Sequence, residues 1–338
     1  MNKTREYLHV APLILTISPT HRCTSNCENC CFGCNPQIDY IMDYDTVTKY
    51  IDAALKDYPT IKVLVLTGGE CFLLGKTLVR IVKYGHGKGL MSRVVTNAYW
   101  ASSYKAAMNH LAPLVEAGLT EINFSTGDEH SKFVKKENIV NAVLAAHHFK
   151  LKTILISVES PPNATLTSSY FREHPSLVEL FEKNQIECID ASWISFKEDK
   201  ETFRFGLHSK NRRPCGNIFT GIFINPYSQM LACCGLTVEY NKFLKLGNLN
   251  QHSIKELYEK QFDDLFKVWL YTEGPLVIYE KVMKARNLTP RALSHECAYC
   301  MELIREPENI ETIKNIIQKE LPSMLFSYNI SKTKFTVK

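Results

Sequence analysis

The sequence lacks a long apolar run and a strong charge of either sign. Its longest apolar stretch, Leu8 to Ile17, is interrupted by Pro12 and spans only about ten residues, whereas a membrane-spanning helix needs about 20. No small-residue cleavage site follows it, so we predict a cytoplasmic protein with neither a membrane span nor a signal peptide. Lys and Arg number 40 and Asp and Glu 35, giving a net charge of +5. This surplus is too small to favour nucleic acid as a partner.

Internal repeats and low-complexity segments are also absent from the sequence, which excludes solenoids and collagen-like chains. The 338 residues are 45% hydrophobic and 22% charged, a balance typical of a folded protein of one or two domains. Cysteine is abundant instead, with 12 residues. Because cytoplasmic thiols are kept reduced, we expect these cysteines to bind metal or to take part in redox chemistry rather than to form disulfides.

Five of the cysteines lie close together near the amino terminus, at Cys23, Cys27, Cys30, Cys31 and Cys34. The first three form the pattern CxxxCxxC. Three thiolates on one loop can bind three irons of a [4Fe–4S] cluster and leave the fourth iron open, and an open position is typical of a catalytic metal centre. The alternative is a structural zinc site, although zinc sites favour pairs of cysteines with two residues between them.

Apolar, β-branched runs alternate with helical patterns from residue 12 to residue 194. The predicted strands are Pro12–Ser18, Ile61–Leu66, Ser92–Thr96, Glu121–Ser125, Lys152–Val158 and Glu187–Ile194. Such alternation requires parallel strands with right-handed crossovers, so the α/β sheet is either doubly wound or an incomplete barrel. In both folds ligands bind at the carboxyl ends of the strands. The cysteine loop, Gly68–Glu70, Asn97 and Ser125–Asp128 fall at such ends, so we expect one shared site.

From Lys197 the alternation stops and charged residues cluster, which places a domain boundary near residue 200. We predict a core domain over residues 1–200, a second domain over 201–305, and a carboxy-terminal helix and tail over 306–338. The second domain carries another set of cysteines, namely Cys215, Cys233, Cys234, Cys297 and Cys300.

The CxxxCxxC loop after the first strand and the sequence Gly-Gly-Glu after the second resemble the radical S-adenosylmethionine (SAM) superfamily over residues 12 to 194. The resemblance implies a partial (β/α)₆ barrel in which Cys23, Cys27 and Cys30 bind a [4Fe–4S] cluster and SAM binds its open iron. It also implies that reductive cleavage of SAM yields a 5′-deoxyadenosyl radical, which abstracts a carbon-bound hydrogen from the substrate. The electron would come from a protein of the flavodoxin or ferredoxin type.

By the same resemblance, residues at the ends of strands two to five contact SAM. The implied residues are Thr67, Gly68, Gly69 and Glu70 for the amino group, Asn97 in the strand-three motif, Ser125 and Asp128 in the ribose-contacting motif of strand four, and Glu159 on the adenosine side. Three positions depart from the family pattern. Asn29 replaces an aromatic residue, Cys71 a proline, and Ala98 a glycine.

The second domain resembles the auxiliary-cluster extensions called SPASM and Twitch over residues 210 to 303. This implies one auxiliary [4Fe–4S] cluster with the ligands Cys215, Cys233, Cys297 and Cys300. Four thiolates suffice for one such cluster and not for two, which favours the shorter Twitch form. A zinc ribbon built from the same four cysteines is the alternative, and Cys234 is an alternative ligand to Cys233.

Cys234 and Cys71 are also candidate catalytic residues. We expect each of them to point toward the cavity between the two clusters. In radical enzymes that invert a stereocentre, a thiol returns the hydrogen atom to the substrate radical. Cys234, beside a predicted cluster ligand, fits this role.

Resemblance to SPASM and Twitch proteins implies two kinds of substrate. One is a ribosomally synthesised peptide, modified by epimerisation, crosslinking or cyclisation. The other is a small sugar, aminocyclitol or alcohol, which a dehydrogenase or epimerase would take. Only 22 residues precede Cys23, too few for a leader-binding domain, but some peptide-modifying enzymes lack that domain and we favour the peptide. A noncatalytic iron–sulfur or zinc scaffold that binds a partner is the remaining alternative.

Overall fold

A computed structural model describes residues 3–161, 163–191, 194 and 212–336 of the chain, with side chains from residue 4 to residue 329 of these ranges. The predicted domain boundary near residue 200 lies outside the described residues, as do residues 192 and 193 of the sixth predicted strand.

Strands and helices alternate through the first half of the chain, and helices predominate in the second. The strands are β1 (Ile14–Thr20), β2 (Val63–Gly68), β3 (Met91–Thr96), β4 (Leu119–Gly127), β5 (Thr153–Glu159), β6 (Glu187–Ala191), β7 (Gly221–Ile224), β8 (Gln229–Leu231) and β9 (Lys245–Asn248). The helices are α1 (Lys3–Tyr7), α2 (Tyr44–Asp57), α3 (Lys76–Gly87), α4 (Tyr104–Glu116), α5 (Asp128–Ser131), α6 (Lys136–His148), α7 (Ser168–Arg172), α8 (Val178–Glu182), α9 (Ile254–Lys260), α10 (Leu265–Thr272), α11 (Pro275–Ala285), α12 (Glu296–Arg305) and α13 (Pro307–Thr336).

The chain packs into two compact units. The barrel unit comprises Leu13–Phe203 and Phe223–Ser228. The helical unit comprises Met1–Pro12, Arg204–Ile222 and Gln229–Lys338.

The sheet of the barrel unit is parallel and follows the order of the chain. Its strands lie in the order β6-β5-β4-β3-β2-β1, and each neighbouring pair is parallel. In a doubly wound sheet the strand order reverses at a switch point, and no reversal occurs between β1 and β6. The predicted partial (β/α)₆ barrel is therefore confirmed.

Apolar residues at alternate positions of the strands, which share one face of each strand, form the core of the sheet. Leu64 and Leu66 on β2 and Ile122 and Phe124 on β4 are fully buried, as expected of a parallel sheet covered by helices. The strand β4 is two residues longer at each end than the predicted strand over 121–125. Thr120, Thr126 and Gly127 weaken the sequence signal at those ends, although Thr126 and Gly127 continue the ladder with β5.

The crossover helix α2 begins at an N-cap residue. Asp43 caps α2 by accepting a hydrogen bond from the backbone N–H of Thr46 at 2.6 Å. Val47, Ile51 and Ala54 are fully buried on one face of that helix, at the spacing of successive helical turns. Burial of these faces holds the crossover helices against the sheet and leaves the strand ends to the loops.

The helical unit contains an antiparallel hairpin and a bundle of helices. β8 and β9 pair around Met230 and Gly247. Trp269 on α10, Tyr279 on α11 and Tyr299 on α12 are almost completely buried. Among the described residues, no helix has both the length and the apolar character that crossing a bilayer requires.

Candidate functional site

The cysteine loop begins and ends at the carboxyl end of β1. The backbone N–H of Cys23 donates to the carbonyl of Asn35 at 3.1 Å, and the N–H of Asn35 donates to the carbonyl of His21 at 3.3 Å. These two bonds close the loop, so the chain between them, which carries Cys27 and Cys30, is held over the end of the sheet. The loop lies where ligands bind in parallel α/β sheets.

The turn after β2 packs directly against the cysteine loop. The N–H of Gly69 donates to the carbonyl of Thr20 at 2.8 Å, and the N–H of Glu70 to the carbonyl of Arg22 at 2.9 Å. A Cβ atom on Gly69 would lie 1.9 Å from the Arg22 carbonyl oxygen. Gly68 has φ +112, a conformation that favours glycine. The two glycines therefore permit a backbone contact that no larger residue allows.

The carboxylate of Glu70 joins the ends of β2 and β3. Its Oε1 accepts hydrogen bonds from the Phe72 N–H at 3.0 Å and the Thr96 hydroxyl at 2.8 Å, and its Oε2 accepts one from the Asn97 N–H at 2.8 Å. Glu70 is fully buried, and burial raises its pKa to about 7 against the opposing effect of these hydrogen bonds. Oε2 can accept a further hydrogen bond. Its contact with the SAM amino group stays a prediction.

Asn97 connects the end of β3 to the cysteine loop. Its Nδ2 donates to the hydroxyls of Thr24 at 3.0 Å and Ser25 at 3.2 Å, and lies 3.7 Å from the Cys23 sulfur. The next residue, Ala98, has φ +60, in the left-handed region that favours glycine. This conformation explains why a glycine suits the third position of the motif and how the chain turns after Asn97.

Backbone N–H groups donate hydrogen bonds to two of the loop's thiols, and the thiols lie near one another. The N–H of Ser25 donates to the Cys23 sulfur and the N–H of Cys34 to the Cys30 sulfur, each at 3.4 Å. Hydrogen bonds from Cys34 lower the pKa of Cys30. Burial raises the pKa of Cys27, and the neighbouring Cys30 and Cys23 thiols raise it further. A metal that binds thiolates would remove this mutual penalty.

In residues 3–161, 163–191, 194 and 212–336, no group of three or more His, Cys, Asp or Glu side chains is arranged so that it could hold a metal ion. The fit of the loop to an iron–sulfur cluster rests instead on its donors. Three thiols follow one another on a closed loop, and N–H groups are aimed at two of their sulfurs. Thiolate ligands with N–H···S hydrogen bonds are the usual surroundings of such clusters.

Glu159, at the end of β5, contacts the cysteine loop through Asn29. The Asn29 amide donates to Oε1 of Glu159, and both residues are buried. Neither Asn29 Oδ1 nor Glu159 Oε2 has a hydrogen-bond partner among the residues that the structure describes. An unpaired buried polar atom costs about 1–3 kcal/mol, so this pair is suited to a polar ligand. Burial, and then the carboxylates of Glu129 and Asp128, raise the pKa of Glu159 to about 7.

The contact between Asn29 and Glu159 was not predicted from the sequence. Its only signal was that Asn29 stands where the family pattern has an aromatic residue. An amide at that position replaces ring packing with a hydrogen bond to the strand end.

The carboxylate of Asp128 holds the loop after β5. Its Oδ1 accepts hydrogen bonds from the Thr165 hydroxyl at 2.6 Å and the Leu166 N–H at 2.8 Å, and its Oδ2 accepts one from the Thr165 N–H at 2.7 Å. Ser125 is half-buried on β4. Contacts of Ser125 and Asp128 with a ribose stay predictions, and the structure adds a second role for Asp128.

Cysteines of the helical unit also come together. A Cβ atom on Gly235 would lie 3.1 Å from the Cys297 sulfur and 3.4 Å from the Cys233 sulfur, so both sulfurs face the same glycine. Burial raises the pKa of Cys233, and the Cys215 and Cys297 thiols raise it further. Burial also raises the pKa of Cys300, and the Cys297 and Cys215 thiols raise it further. The donor set is four neighbouring thiols, which fits one cubane cluster.

The two adjacent cysteines of this set differ in exposure. Cys233 is 6% exposed and faces the shared glycine. Cys234 is exposed, and its sulfur lies 3.9 Å from Oδ1 of Asn217. The other candidate catalytic residue, Cys71, is fully buried in the barrel unit and its thiol donates to the carbonyl of Thr67 at 3.3 Å.

Parallel strands in chain order, with a thiol loop at the end of β1, define the class of fold, which is a partial (β/α)₆ barrel. The solved structure of native anSMEcpe with bound AdoMet has the same fold, with a TM-score of 0.53 and 14% identity over 91% of this chain and 99% of that one. The structure of anSMEcpe with bound AdoMet and the Cp18Cys peptide gives a TM-score of 0.54 and 14% identity, over 94% and 99% of the two chains.

The sequence is similar to YydG of Bacillus subtilis (strain 168), a protein assigned provisionally to peptide biosynthesis. The two are 22% identical over 313 residues, which cover 90% of this chain and 96% of YydG. No protein-family profile matches the chain.

Proposed function

We propose that this protein is a radical SAM enzyme that modifies a ribosomally synthesised peptide. The observation that carries the proposal is the closed CxxxCxxC loop, bound by the backbone of the Gly-Gly-Glu turn at the carboxyl ends of β1 and β2. Similarity to YydG, assigned provisionally to peptide biosynthesis, and to anSMEcpe, solved with AdoMet and a peptide, supports a peptide substrate. Fold similarity alone would not assign a substrate.

When bound by Cys23, Cys27 and Cys30, a [4Fe–4S] cluster supplies the electron that cleaves SAM and an open iron for its amino and carboxylate groups. The chain's own residues set up this chemistry. The N–H groups of Ser25 and Cys34 stabilise the ligand sulfurs, because a donor beside a thiolate favours its charged form. Asn97 fixes the first part of the loop through its side-chain amide.

The buried pair of Asn29 and Glu159 supplies polar contacts on the adenosine side of the proposed SAM site. Glu159 Oε2 is suited to accept a hydrogen bond from a hydroxyl group, and Asn29 Oδ1 to accept one from a hydroxyl or amino group. Ser125 lies on the neighbouring strand β4, which pairs with β5 through Ser157. Such fixed groups orient a cofactor without rearranging when it binds.

The second part of the proposal concerns the helical unit. Cys215, Cys233, Cys297 and Cys300 would bind an auxiliary [4Fe–4S] cluster with four protein ligands, so that no iron is open to substrate. A flavodoxin- or ferredoxin-type protein would deliver electrons to the enzyme. Cys234, which is exposed, would donate a hydrogen atom if the product is an epimer.

The first experiment tests SAM cleavage. The chain is purified and reconstituted with iron and sulfide without oxygen, and then reduced in the presence of SAM. We expect 5′-deoxyadenosine and methionine, and loss of both products when Cys23, Cys27 and Cys30 are changed to Ala. Zinc in place of iron, with no cleavage, would instead support the noncatalytic scaffold.

The second experiment tests the substrate class. A peptide encoded by a short neighbouring reading frame is synthesised with deuterium at its carbon positions and incubated with the active enzyme. We expect deuterium in 5′-deoxyadenosine and a changed peptide mass or stereochemistry. Transfer from a deuterated sugar or aminocyclitol, and none from the peptide, would support the small-molecule alternative. If the product is an epimer, Cys234→Ala is expected to cleave SAM without forming it.

A further inference from the structure

The hydrogen bonds of Glu70 leave one acceptor position on one of its two oxygens. Its Oε1 accepts from the Phe72 N–H at 3.0 Å and from the Thr96 hydroxyl at 2.8 Å. Its Oε2 accepts from the Asn97 N–H at 2.8 Å. Because a carboxylate oxygen accepts about two hydrogen bonds, Oε1 is fully engaged by described residues and Oε2 is the atom that a ligand would contact.

Glu70 is fully buried, and its three hydrogen-bond donors in the described part of the chain are all neutral groups. A buried carboxylate without a cation beside it is unfavourable. The site is therefore suited to a ligand that donates hydrogen bonds and carries positive charge.

Trp100 fixes the direction of the Thr96 hydroxyl. Its indole Nε1 donates to Thr96 Oγ1 at 3.0 Å, and the Ala98 N–H donates to the same oxygen at 3.1 Å. A hydroxyl oxygen has two lone pairs, and these two donors occupy both. The hydroxyl hydrogen is thus left to point at Glu70 Oε1.

The indole ring of Trp100 also packs on Phe72, the residue whose N–H is the second donor to Oε1. The two rings are stacked, with centroids 4.2 Å apart and planes inclined by 16°. Trp100 is 4% exposed and Phe72 is 8% exposed. One side chain therefore holds both donors to Oε1, Thr96 through its N–H group and Phe72 through its ring face.

We propose that Trp100 is a positioning residue for SAM, which acts through Thr96 to orient Glu70 so that Oε2 faces the amino group. The inference rests on the SAM site of the proposed function. A carboxylate whose orientation is fixed before the ligand arrives binds it without reorganisation. Without the indole N–H, the Thr96 hydroxyl is able to rotate away from Oε1 and Glu70 loses that restraint.

SAM binding is measured by equilibrium dialysis with radiolabelled SAM. The full chain is reconstituted with iron and sulfide and kept oxidised, so that SAM is not cleaved. Trp100→Phe keeps an aromatic ring on Phe72 and removes the N–H group, and Thr96→Val removes the hydroxyl. We expect each variant to raise the Kd for SAM about tenfold. Thr96→Ser, which keeps the hydroxyl, is expected to restore most of the affinity.

The double variant tests whether Trp100 acts through Thr96. We expect Trp100→Phe combined with Thr96→Val to raise the Kd no more than Thr96→Val alone, because two groups that act in series are not additive. Trp269→Phe is the matched control. It removes an indole N–H that donates to the Glu273 carboxylate at 3.0 Å in the helical unit, and it leaves the Kd unchanged.

Iron content and the urea midpoint are recorded for every variant. A purely structural role of Trp100 would lower the midpoint and leave the Kd of the folded, iron-loaded chain as in the wild type. A wild-type Kd in both Trp100→Phe and Thr96→Val would overturn the inference and leave the proposed function intact. Effects that multiply in the double variant would also overturn it, since Trp100 would then act independently of Thr96.

A wild-type chain that binds iron but neither binds nor cleaves SAM would overturn the proposed function together with this inference. The failure of the inference alone requires a wild-type chain that binds SAM. The two failures are therefore distinguishable.

Discussion

At the scale of single residues, the loop that carries the thiols is held by side chains from two strand ends. Asn97 reaches it from β3 and Glu159 from β5 through Asn29. Ala98 follows Asn97 with φ +60. A single substitution at Asn97, Asn29 or Glu159 removes such a contact, and one at Ala98 relieves the left-handed backbone conformation.

Ala98 is expected to tolerate glycine better than a buried alanine of ordinary backbone conformation. The control is Ala101, which is also fully buried and is not among the residues with positive φ. Both substitutions remove a buried methyl group and increase the conformational entropy of the unfolded chain. Only Ala98→Gly also removes the strain of an alanine at positive φ. In urea unfolding, Ala98→Gly should cost about 1 kcal/mol less than Ala101→Gly. Equal costs would contradict the assigned backbone conformation.

Glu159 makes the stability of the folded chain depend on pH. Its pKa is raised to about 7 from the ordinary 4.5, so between these values the folded chain binds more protons than the unfolded chain. Its contribution to stability is therefore full at pH values below that window and is lost as the pH rises through about 7. Glu159→Gln keeps an acceptor for Asn29 and cannot ionise.

We expect Glu159→Gln to reduce the loss of stability between pH 5 and pH 8, by up to about 3 kcal/mol. The measurement is urea unfolding of the chelator-treated chain at both pH values. Glu116→Gln, at an exposed position of α4, is the control and leaves the pH dependence as in the wild type. A Glu159→Gln profile parallel to the wild type would show that this carboxylate is not the group responsible.

At the scale of elements, the central contact is between the loops after β1 and β2. Gly69→Ala places a Cβ atom 1.9 Å from the Arg22 carbonyl oxygen, a backbone atom that cannot move by itself. We expect this variant to lose most of the iron bound by the amino-terminal loop and at least about 2 kcal/mol of stability.

The matched control for that substitution is Gly87→Ala on α3, where a Cβ atom would have no heavy atom within 4 Å. It should change stability by less than about 1 kcal/mol and leave iron binding intact. Iron per chain and urea unfolding are measured for both variants. Full iron content in Gly69→Ala would contradict the close approach of the two loops.

The strands and the cysteine loop could be predicted from the sequence because their signals are local. Apolar runs mark the strands, and Cys23, Cys27 and Cys30 lie within one short segment. The contact of Asn29 with Glu159 joins residues 130 positions apart, and that of Asp128 with Thr165 spans 37 positions. Such pairings depend on which strand ends become neighbours, and spacing alone does not determine them.

At the scale of the whole molecule, the account requires two metal sites, one in each compact unit. Cys233 and Cys234 provide a direct comparison, since they are adjacent in sequence and differ in burial. We expect Cys233→Ala to lose about half of the iron of the reconstituted chain, which corresponds to one of two cubane clusters. Cys234→Ala should keep all of it. Iron analysis that gives the reverse result would make Cys234 the ligand.

The most direct test of the central claim is Mössbauer spectroscopy of the amino-terminal cluster alone. A chain with Cys215, Cys233, Cys297 and Cys300 changed to Ala is reconstituted without oxygen using isotopically enriched iron, and spectra are recorded with and without SAM. The account predicts a cubane cluster in which the signal of one iron changes when SAM is added. A spectrum that SAM leaves unchanged, or a loop that takes up no cubane cluster, would contradict it.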